Sequence, residues 1–289
     1  MGRVRALAAI ATHLDEVGGF CKPWVSCAPL QHGGTAPNAQ PMIEHAILLS
    51  AGQGSRMLPL TAERPKCLIE FSGRSLLAWQ IEMLARGGVK RIDVVTGFMT
   101  DMVDEEIASI RDPRVEITTR FNPFYKVADN LGSCWIAREA MRGDFLILNG
   151  DTLVSEDIVR KVQAGSEWPI AVTVDVKDSY DSDDMKVSRG VGQDEGRLLH
   201  IGKTLTAEQS NAESIGFLAF RGEGAGMFRE AVRKAMRTPE GVQHWYLKVI
   251  DTLAPTGKVG TVSIEGLSWA EVDFLNDIEV ATRLTDSWG

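Results

Sequence analysis

The sequence has little of what marks a nucleic-acid-binding, metal-thiolate or membrane protein. Its net charge of −8 argues against a nucleic-acid partner, which normally needs a basic face. The four cysteines form no C-x-x-C pair, which disfavours zinc and redox sites and favours a reduced, cytoplasmic setting. No apolar run reaches the roughly 18 residues that a membrane span requires. The 289 residues suit one large α/β domain, alone or with a small appendage.

The N-terminal segment lacks periodicity. "MGRVRALAAIA" has two arginines and a short apolar run, as a signal peptide would, but no convincing cleavage site follows. Residues 17–41 are rich in Gly, Pro, Ala and Gln. The sequence therefore predicts an irregular extension over residues 1–41 and a single domain over residues 42–289.

Apolar strand segments alternate with helical patterns from "HAILLSAG" to "DFLILNGD". This order predicts a doubly wound, mostly parallel mixed sheet that binds ligands at the C-terminal ends of its strands. After Asp151 the segments "PIAVTVDV", "DMKVSRG", "RLLHIGK" and "SIGFLAF" predict an added antiparallel section. Two helices, near 225–237 and 242–254, two strands and a terminal helix are expected to follow.

The stretch "LSAGQGSRMLPLTAERPK" contains G-x-G but lacks the third glycine of a dinucleotide-binding fingerprint. It also lacks the G-K-[ST] of a P-loop. Pro59 and Pro65 oppose a long helix where a Rossmann protein would have one. The pattern instead favours a loop whose backbone N–H groups surround a triphosphate, with Arg56 and Lys66 within reach of its charge.

This stretch resembles the signature of the nucleotidyltransferases that make sugar nucleotides and CDP-alcohols. Their pattern is approximately (L)-x-A-G-x-G-x-R-(M/L)-x-P-L-T-x-x-x-P-K. The order of elements from Ala46 to Leu284 is also similar, so the resemblance covers about four-fifths of the chain. It implies the nucleotide-diphospho-sugar transferase fold and transfer of a nucleotidyl group from an NTP.

The resemblance also implies roles for residues of the donor side. The backbone that holds the base and phosphates falls on Leu49, Ala51, Gly52 and Gly54. Arg56 and Lys66 are expected to neutralise the triphosphate and the charge that develops at the α-phosphorus. Asn130 and Ser133, in "DNLGS", lie where relatives recognise the base.

Two acids are implied as metal ligands. Asp151 follows the apolar run "FLILNG", and Asp273 ends "WAEVD". They are expected to share one Mg²⁺, with Mn²⁺ as an alternative. Glu271 is either a partner of these ligands or an ordinary strand residue.

The acceptor side carries further matches. Lys203, in "LLHIGKTL", corresponds to the lysine that meets the acceptor phosphate. Lys186 is a second candidate, for which a solvated strand lysine is equally plausible. Glu213 and Gly216, in "ESIGF", correspond to a strand that the acceptor approaches.

The expected chemistry requires no protein nucleophile. A phosphate monoester has a second pKa of about 6 and is largely a dianion near pH 7, so it can attack an α-phosphorus itself. The five histidines form no catalytic grouping, in keeping with this chemistry. Catalysis then depends on positioning and on positive charge from the metal, Lys and Arg.

The segments "NPFYKVADNLGS" and "DMKV…IGKTL…AESIGF" favour CTP and a small phospho-alcohol or phosphonate of the phosphocholine, aminoethylphosphonate or inositol phosphate class. The acidic run "DVKDSYDSDD" either attracts a cationic head group or is a solvated face. The alternatives are a hexose 1-phosphate with GTP or UTP, and a non-catalytic regulatory subunit that binds nucleotide sugars. The presence of Arg56, Lys66, Asp151 and Asp273 disfavours the regulatory subunit. The sequence carries no signal for an oligomeric state.

Overall fold

The computed structural model of the protein describes residues 40–288. The predicted extension over residues 1–41 therefore falls almost wholly outside the described residues, and its boundary stays a prediction. Within the described range, Ile43 is already fully buried, two residues before the first strand begins.

The strands of the described chain are β1 (His45–Leu49), β2 (Glu70–Phe71), β3 (Arg74–Ser75), β4 (Arg91–Thr96), β5 (Glu116–Phe121), β6 (Phe145–Asn149), β7 (Thr152–Val154), β8 (Ile170–Asp175), β9 (Lys186–Arg189), β10 (Leu198–Ile201), β11 (Ala212–Phe220), β12 (Val259–Ser263) and β13 (Trp269–Glu271). The α-helices are α1 (Leu76–Arg86), α2 (Thr100–Ser109), α3 (Asn130–Ala137), α4 (Glu156–Gln163), α5 (Glu223–Ala235), α6 (Tyr246–Leu253) and α7 (Asp277–Asp286).

One large mixed sheet forms the centre of the domain. Its strands run in the order β10-β9-β11-β6-β1-β4-β5, β8 also pairs with β11, and β12 pairs with β8. The four strands β6, β1, β4 and β5 are parallel. The long strand β11 runs antiparallel to β6, β8 and β9. The predicted doubly wound sheet with an antiparallel section is confirmed.

Both faces of the sheet are covered, which explains why its central strands are largely apolar. All five residues of β1 are buried. Successive side chains point to opposite faces, so Leu48 packs into a cluster with α1 and α4 while Ile47 packs into another with α3, α5 and α6. Removal of this apolar area from water is the main term that stabilises the layered fold.

The sheet has a topological switch point between β1 and β6. The chain passes from β1 to β4 and β5 on one side, whereas β6 lies on the other side. The two strand ends approach closely, because Gly150 N donates to Leu49 O over 3.1 Å. A Cβ at Gly150 would lie only 2.5 Å from that same oxygen. Open α/β sheets bind ligands at such a point, outside the carboxyl ends of the strands.

The structure adds elements that the sequence did not indicate: the hairpin β2–β3, the short strand β7 and helix α4. Helix α4 is only two turns long, but its start is well defined. Ser155 caps it by accepting from Ile158 N, and Glu156 and Asp157 occupy the first turn. No helix among residues 40–288 is long and apolar enough to cross a membrane.

Candidate active site

The glycine loop after β1 is a tight turn rather than the start of a helix. Ser55–Met57 forms a single 3₁₀ turn, as Pro59 and Pro65 predict. Gly54 has a φ of +78°, and a Cβ there would lie 2.7 Å from Lys66 Cβ. Glycine at this position therefore allows the Lys66 side chain to pass directly beneath the loop.

A cleft of about 530 Å³ opens beside this loop, at the switch point. It is lined by every residue that the sequence assigned to the nucleotide, namely Leu49, Ala51, Gly52, Gly54, Asn130 and Ser133. Tyr125 and Lys126 also line it and were not singled out from the sequence. They belong to the segment "NPFYKVADNLGS", which the sequence associated with CTP without assigning a role to either residue.

Some polar groups of the nucleotide cleft already have partners within the protein. Asn122 Nδ2 donates to Ser133 Oγ over 3.2 Å, so the Ser133 hydroxyl proton is free to point elsewhere. Asn130 Oδ1 accepts from Tyr246 N over 2.9 Å, which fixes the start of α3 against α6. Asn130 therefore positions the wall of the cleft as well as lining it.

A second cavity, of about 300 Å³, lies on the other side of Lys66. Three of the predicted acceptor residues, Lys203, Glu213 and Gly216, line it. The fourth, Lys186, is 4% exposed and lies outside this lining. Its Nζ donates to the carbonyl oxygens of Asp181 and Asp184, over 2.6 and 3.4 Å, so its visible contacts anchor a loop.

Lys66 and Asp151 line both cavities and mark the boundary between them. Lys66 Nζ lies 2.9 Å from Asp151 Oδ2 and 2.7 Å from Asp273 Oδ1. Burial alone would lower the pKa of Lys66, but the two carboxylates raise it above its usual value, so the side chain is charged. Arg56 Nη1 completes the cluster, 3.3 Å from Asp273 Oδ2.

Pairing between two short strands brings these distant acids together. Strand β7 directly follows Asp151, and it pairs antiparallel with β13 so that Thr152 lies opposite Glu271. Val272 N donates to Asp151 O over 2.9 Å. Asp151, directly before β7, and Asp273, shortly after β13, therefore project their carboxylates toward one point, although more than a hundred residues separate them.

Three carboxylates meet there. Asp151, Glu271 and Asp273 each offer an oxygen, and these atoms lie within 4.8 Å of one another. Burial, together with the negative charges of Asp151 and Asp273, raises the pKa of Glu271 to about 8. Oxygen donors gathered in this way fit a hard divalent cation. Glu271, for which the sequence left two roles open, thus lies within the cluster.

Polar contacts hold the end of β6 in place beneath the cluster. Gln80 Nε2 donates to Asn149 O over 2.7 Å and to Thr152 O over 2.8 Å, on either side of Asp151. Tyr246 Oη donates to Asn149 Oδ1 over 3.2 Å. A Cβ at Gly216 would lie 2.3 Å from Asn149 Nδ2, so glycine is needed opposite this amide. These contacts therefore fix the backbone on both sides of Asp151.

Comparison with known proteins agrees with this arrangement. Residues 45–183 match the sequence profile of the family described as nucleotidyl transferase. Residues 45–183 belong to that family. The chain resembles the CTP:phosphoglutamine cytidylyltransferase of Campylobacter jejuni, with 24% identity over 82% of this chain and 98% of the relative. It also resembles the CMP-5'-(3-aminopropyl)phosphonate synthase of Streptomyces rubellomurinus, with 29% identity over 82% of this chain but only 38% of that longer protein.

Among solved structures, the inositol-1-phosphate CTP transferase of T. maritima superposes with a TM-score of 0.70 over 86% of this chain and 98% of its own. Its sequence identity of 20% supports a shared fold. The predicted family and fold class are confirmed, and the relatives are named as nucleotidyl- and cytidylyltransferases. The chain is thus similar to nucleotidyltransferases over more than four-fifths of its length.

Proposed function

We propose that this nucleotidyltransferase joins CTP to a small phosphorylated alcohol or a phosphonate and releases pyrophosphate. The observation that carries the proposal is the cluster of Lys66, Asp151 and Asp273 at the boundary between two cavities. One cavity follows the glycine loop, where a triphosphate is expected, and the other contains Lys203. The α-phosphorus of a nucleotide bound at this boundary would be within reach of an acceptor in the second cavity.

The reaction is a single displacement. An oxygen of the acceptor phosphate or phosphonate forms a bond to the α-phosphorus, the bond from that phosphorus to the bridging oxygen breaks, and pyrophosphate leaves with the electron pair. The acceptor dianion needs no general base. Lys66 and Arg56 stabilise the negative charge that builds up at the α-phosphorus, and the cavity walls hold the two substrates in line.

The acidic cluster fits a metal ion. Asp151 and Asp273, with Glu271 beside them, would hold Mg²⁺, or Mn²⁺ in its place. When bound, the ion neutralises phosphate charge and orients the transferring group. Two acids at a phosphate-binding site would otherwise repel the substrates that they serve.

The second cavity supports a small acceptor with a cationic end. Lys203 supplies a positive charge for the phosphate. Elsewhere in the lining, Glu213 and Asp184 both hold Lys177 Nζ, at 2.6 and 2.9 Å. The Glu213 side chain is only 5% exposed, so burial raises its pKa to about 7 despite Lys177. Carboxyl groups outnumber cations in the lining by seven to three, which favours acceptors with a cationic end, of the phosphocholine and aminoethylphosphonate kind.

The test is a pyrophosphate-release screen of four NTPs against phosphocholine, 2-aminoethylphosphonate, inositol 1-phosphate and mannose 1-phosphate. We expect CTP with an amino- or trimethylammonium-bearing acceptor to give the highest kcat/KM. A clear preference for mannose 1-phosphate with GTP or UTP would contradict the proposal and support the sugar-nucleotide alternative. The Lys66→Ala variant serves as the inactive control.

A further inference from the structure

Two cations that line the second cavity, Arg56 and Lys203, are already bridged by a carboxylate of the chain itself. Asp183 Oδ2 lies 2.6 Å from Arg56 Nη1, and Asp183 Oδ1 lies 2.8 Å from Lys203 Nζ. Asp183 belongs to the loop of residues 176–185, between β8 and β9. The sequence placed this residue in an acidic run without a defined role. In the structure its carboxylate stands between the cation assigned to the donor and the cation assigned to the acceptor.

The charges around this cavity disfavour the presence of both the Asp183 carboxylate and a phosphate between Arg56 and Lys203. The carboxyl groups that line it belong to Asp129, Asp151, Asp183, Asp184, Glu213, Glu271 and Asp273. The cations that line it are Arg56, Lys66 and Lys203. A phosphate that entered this excess of acid would find Arg56 and Lys203 already neutralised. Departure of Asp183 would remove one negative charge, free Lys203 and leave Arg56 with only its longer contact to Asp273, at 3.3 Å.

Asp183 is also better able to move than the two glutamates of the cavity. Its side chain is 40% exposed, and it lies on a loop. Glu213 and Glu271, in contrast, lie on strands. The loop keeps its shape without the Asp183 side chain, because Asp181 Oδ1 accepts from Asp183 N over 2.8 Å. Lys186, buried behind the loop, binds two of its carbonyl oxygens. A change of side-chain rotamer therefore suffices to withdraw the carboxylate.

We propose that Asp183 is a displaceable internal anion that occupies the place of the acceptor phosphate between Arg56 and Lys203. This inference rests on the proposed function, because it assumes that the second cavity receives an acceptor phosphate or phosphonate. Binding of the acceptor exchanges one anion for another, and no covalent step is involved. An acceptor must then outcompete a carboxylate, which favours dianionic phosphates and phosphonates over singly charged groups.

The test compares Asp183→Asn with the unmodified chain. Asparagine keeps the size of the side chain and removes its charge. Calorimetric titration of the full chain with inorganic phosphate, without nucleotide, should show tighter binding by roughly three- to tenfold, the scale of two exposed ion pairs. The KM for the acceptor should fall by a similar factor. Asp178→Asn, an exposed residue of the same loop, is the matched control for the loss of one negative charge and should leave phosphate binding unchanged.

A second variant locates the effect. Adding Lys203→Ala to Asp183→Asn should remove most of the gain in phosphate affinity, because the phosphate then loses the cation that Asp183 had covered. Phosphate binding that is unchanged or weaker in Asp183→Asn would overturn the inference and show that Asp183 aligns the two cations. Failure of the proposed function is distinguishable, since phosphate binding would still tighten in Asp183→Asn while none of the tested acceptors was converted.

Discussion

Lys66 should be required for stability as well as for turnover, and the Lys66→Met variant tests this. Methionine keeps the length of the stem and removes the charge. Lys66 Nζ lies within 2.9 Å of both Asp151 and Asp273, and the lysine side chain is only 13% exposed. Without the Lys66 ammonium group, the carboxylates of Asp151 and Asp273, whose oxygens lie within 4.8 Å of each other, lose the cation between them.

The magnitude follows from that separation. Two ionised carboxylates at 4.8 Å repel each other by about 3–4 kcal/mol at an effective dielectric constant of about 20. This agrees with the cost of about 3–5 kcal/mol for removing one partner from a buried ion pair. In a domain of this size each kcal/mol shifts Tm by about 2–4 °C, so we expect Tm to fall by roughly 10 °C. Turnover should fall by about 10²–10³-fold.

The assay is thermal unfolding at pH 7.5, in EDTA and then in Mg²⁺. We expect Mg²⁺ to restore much of the Tm of Lys66→Met and to change that of the unmodified chain far less, because the ion supplies the missing positive charge. Adding Asp151→Asn should also rescue Lys66→Met, since one of the repelling charges is gone. Lys90→Met, at an exposed pair with Glu44, is the control and should change stability by less than about 0.5 kcal/mol. A Lys66→Met variant as stable in EDTA as the unmodified chain would refute the reasoning.

Further predictions concern the metal, the acceptor and the stability in acid. Activity should need Mg²⁺ or Mn²⁺ and vanish with EDTA. Asp151→Asn should reduce turnover severely without lowering Tm, when kinetics and thermal unfolding of the variant and the unmodified chain are measured together. Lys203→Ala should raise the KM for the acceptor far more than that for CTP; steady-state kinetics showing the reverse would exchange the donor and acceptor sides. Asp93→Asn should lower the free energy of unfolding at pH 7 by about 2–3 kcal/mol, because His45 Nε2 and Arg120 Nε each lie 2.6 Å from the Asp93 carboxylate. Burial opposes ionisation of Asp93, but these hydrogen bonds lower its pKa in the fold, so its contribution is present above the unfolded pKa of about 4 and is lost as the pH falls below it. Urea unfolding between pH 7 and pH 3 should show the difference between the two proteins beginning to narrow below about pH 4, and a difference that stays constant would contradict this.

The sequence by itself indicated the loop that we propose holds the donor nucleotide. Pro59 and Pro65 exclude a long helix after the glycine loop, whatever packs around it, because proline lacks the backbone donor and restricts its neighbours. The apolar runs of β1 and β6 indicate buried parallel strands, and the residues that end them must lie at one edge of the sheet. For this reason the placements of Gly54 and Lys66 could be anticipated from local pattern, whereas Asp151 was implied by the resemblance to the nucleotidyltransferases.

Only the tertiary structure decided the remainder. Glu271 and Asp183 carry no local signal, since an acid on a short strand and an acid in a charged loop are both ordinary surface features. Glu271 joins the cluster because β13 pairs with β7, a contact between segments more than a hundred residues apart. Asp183 meets Arg56 because the antiparallel section of the sheet carries its loop to the glycine loop, 127 residues away. The energy of two charges depends on their distance in space and not on their separation along the sequence. The pairing of strands sets that distance.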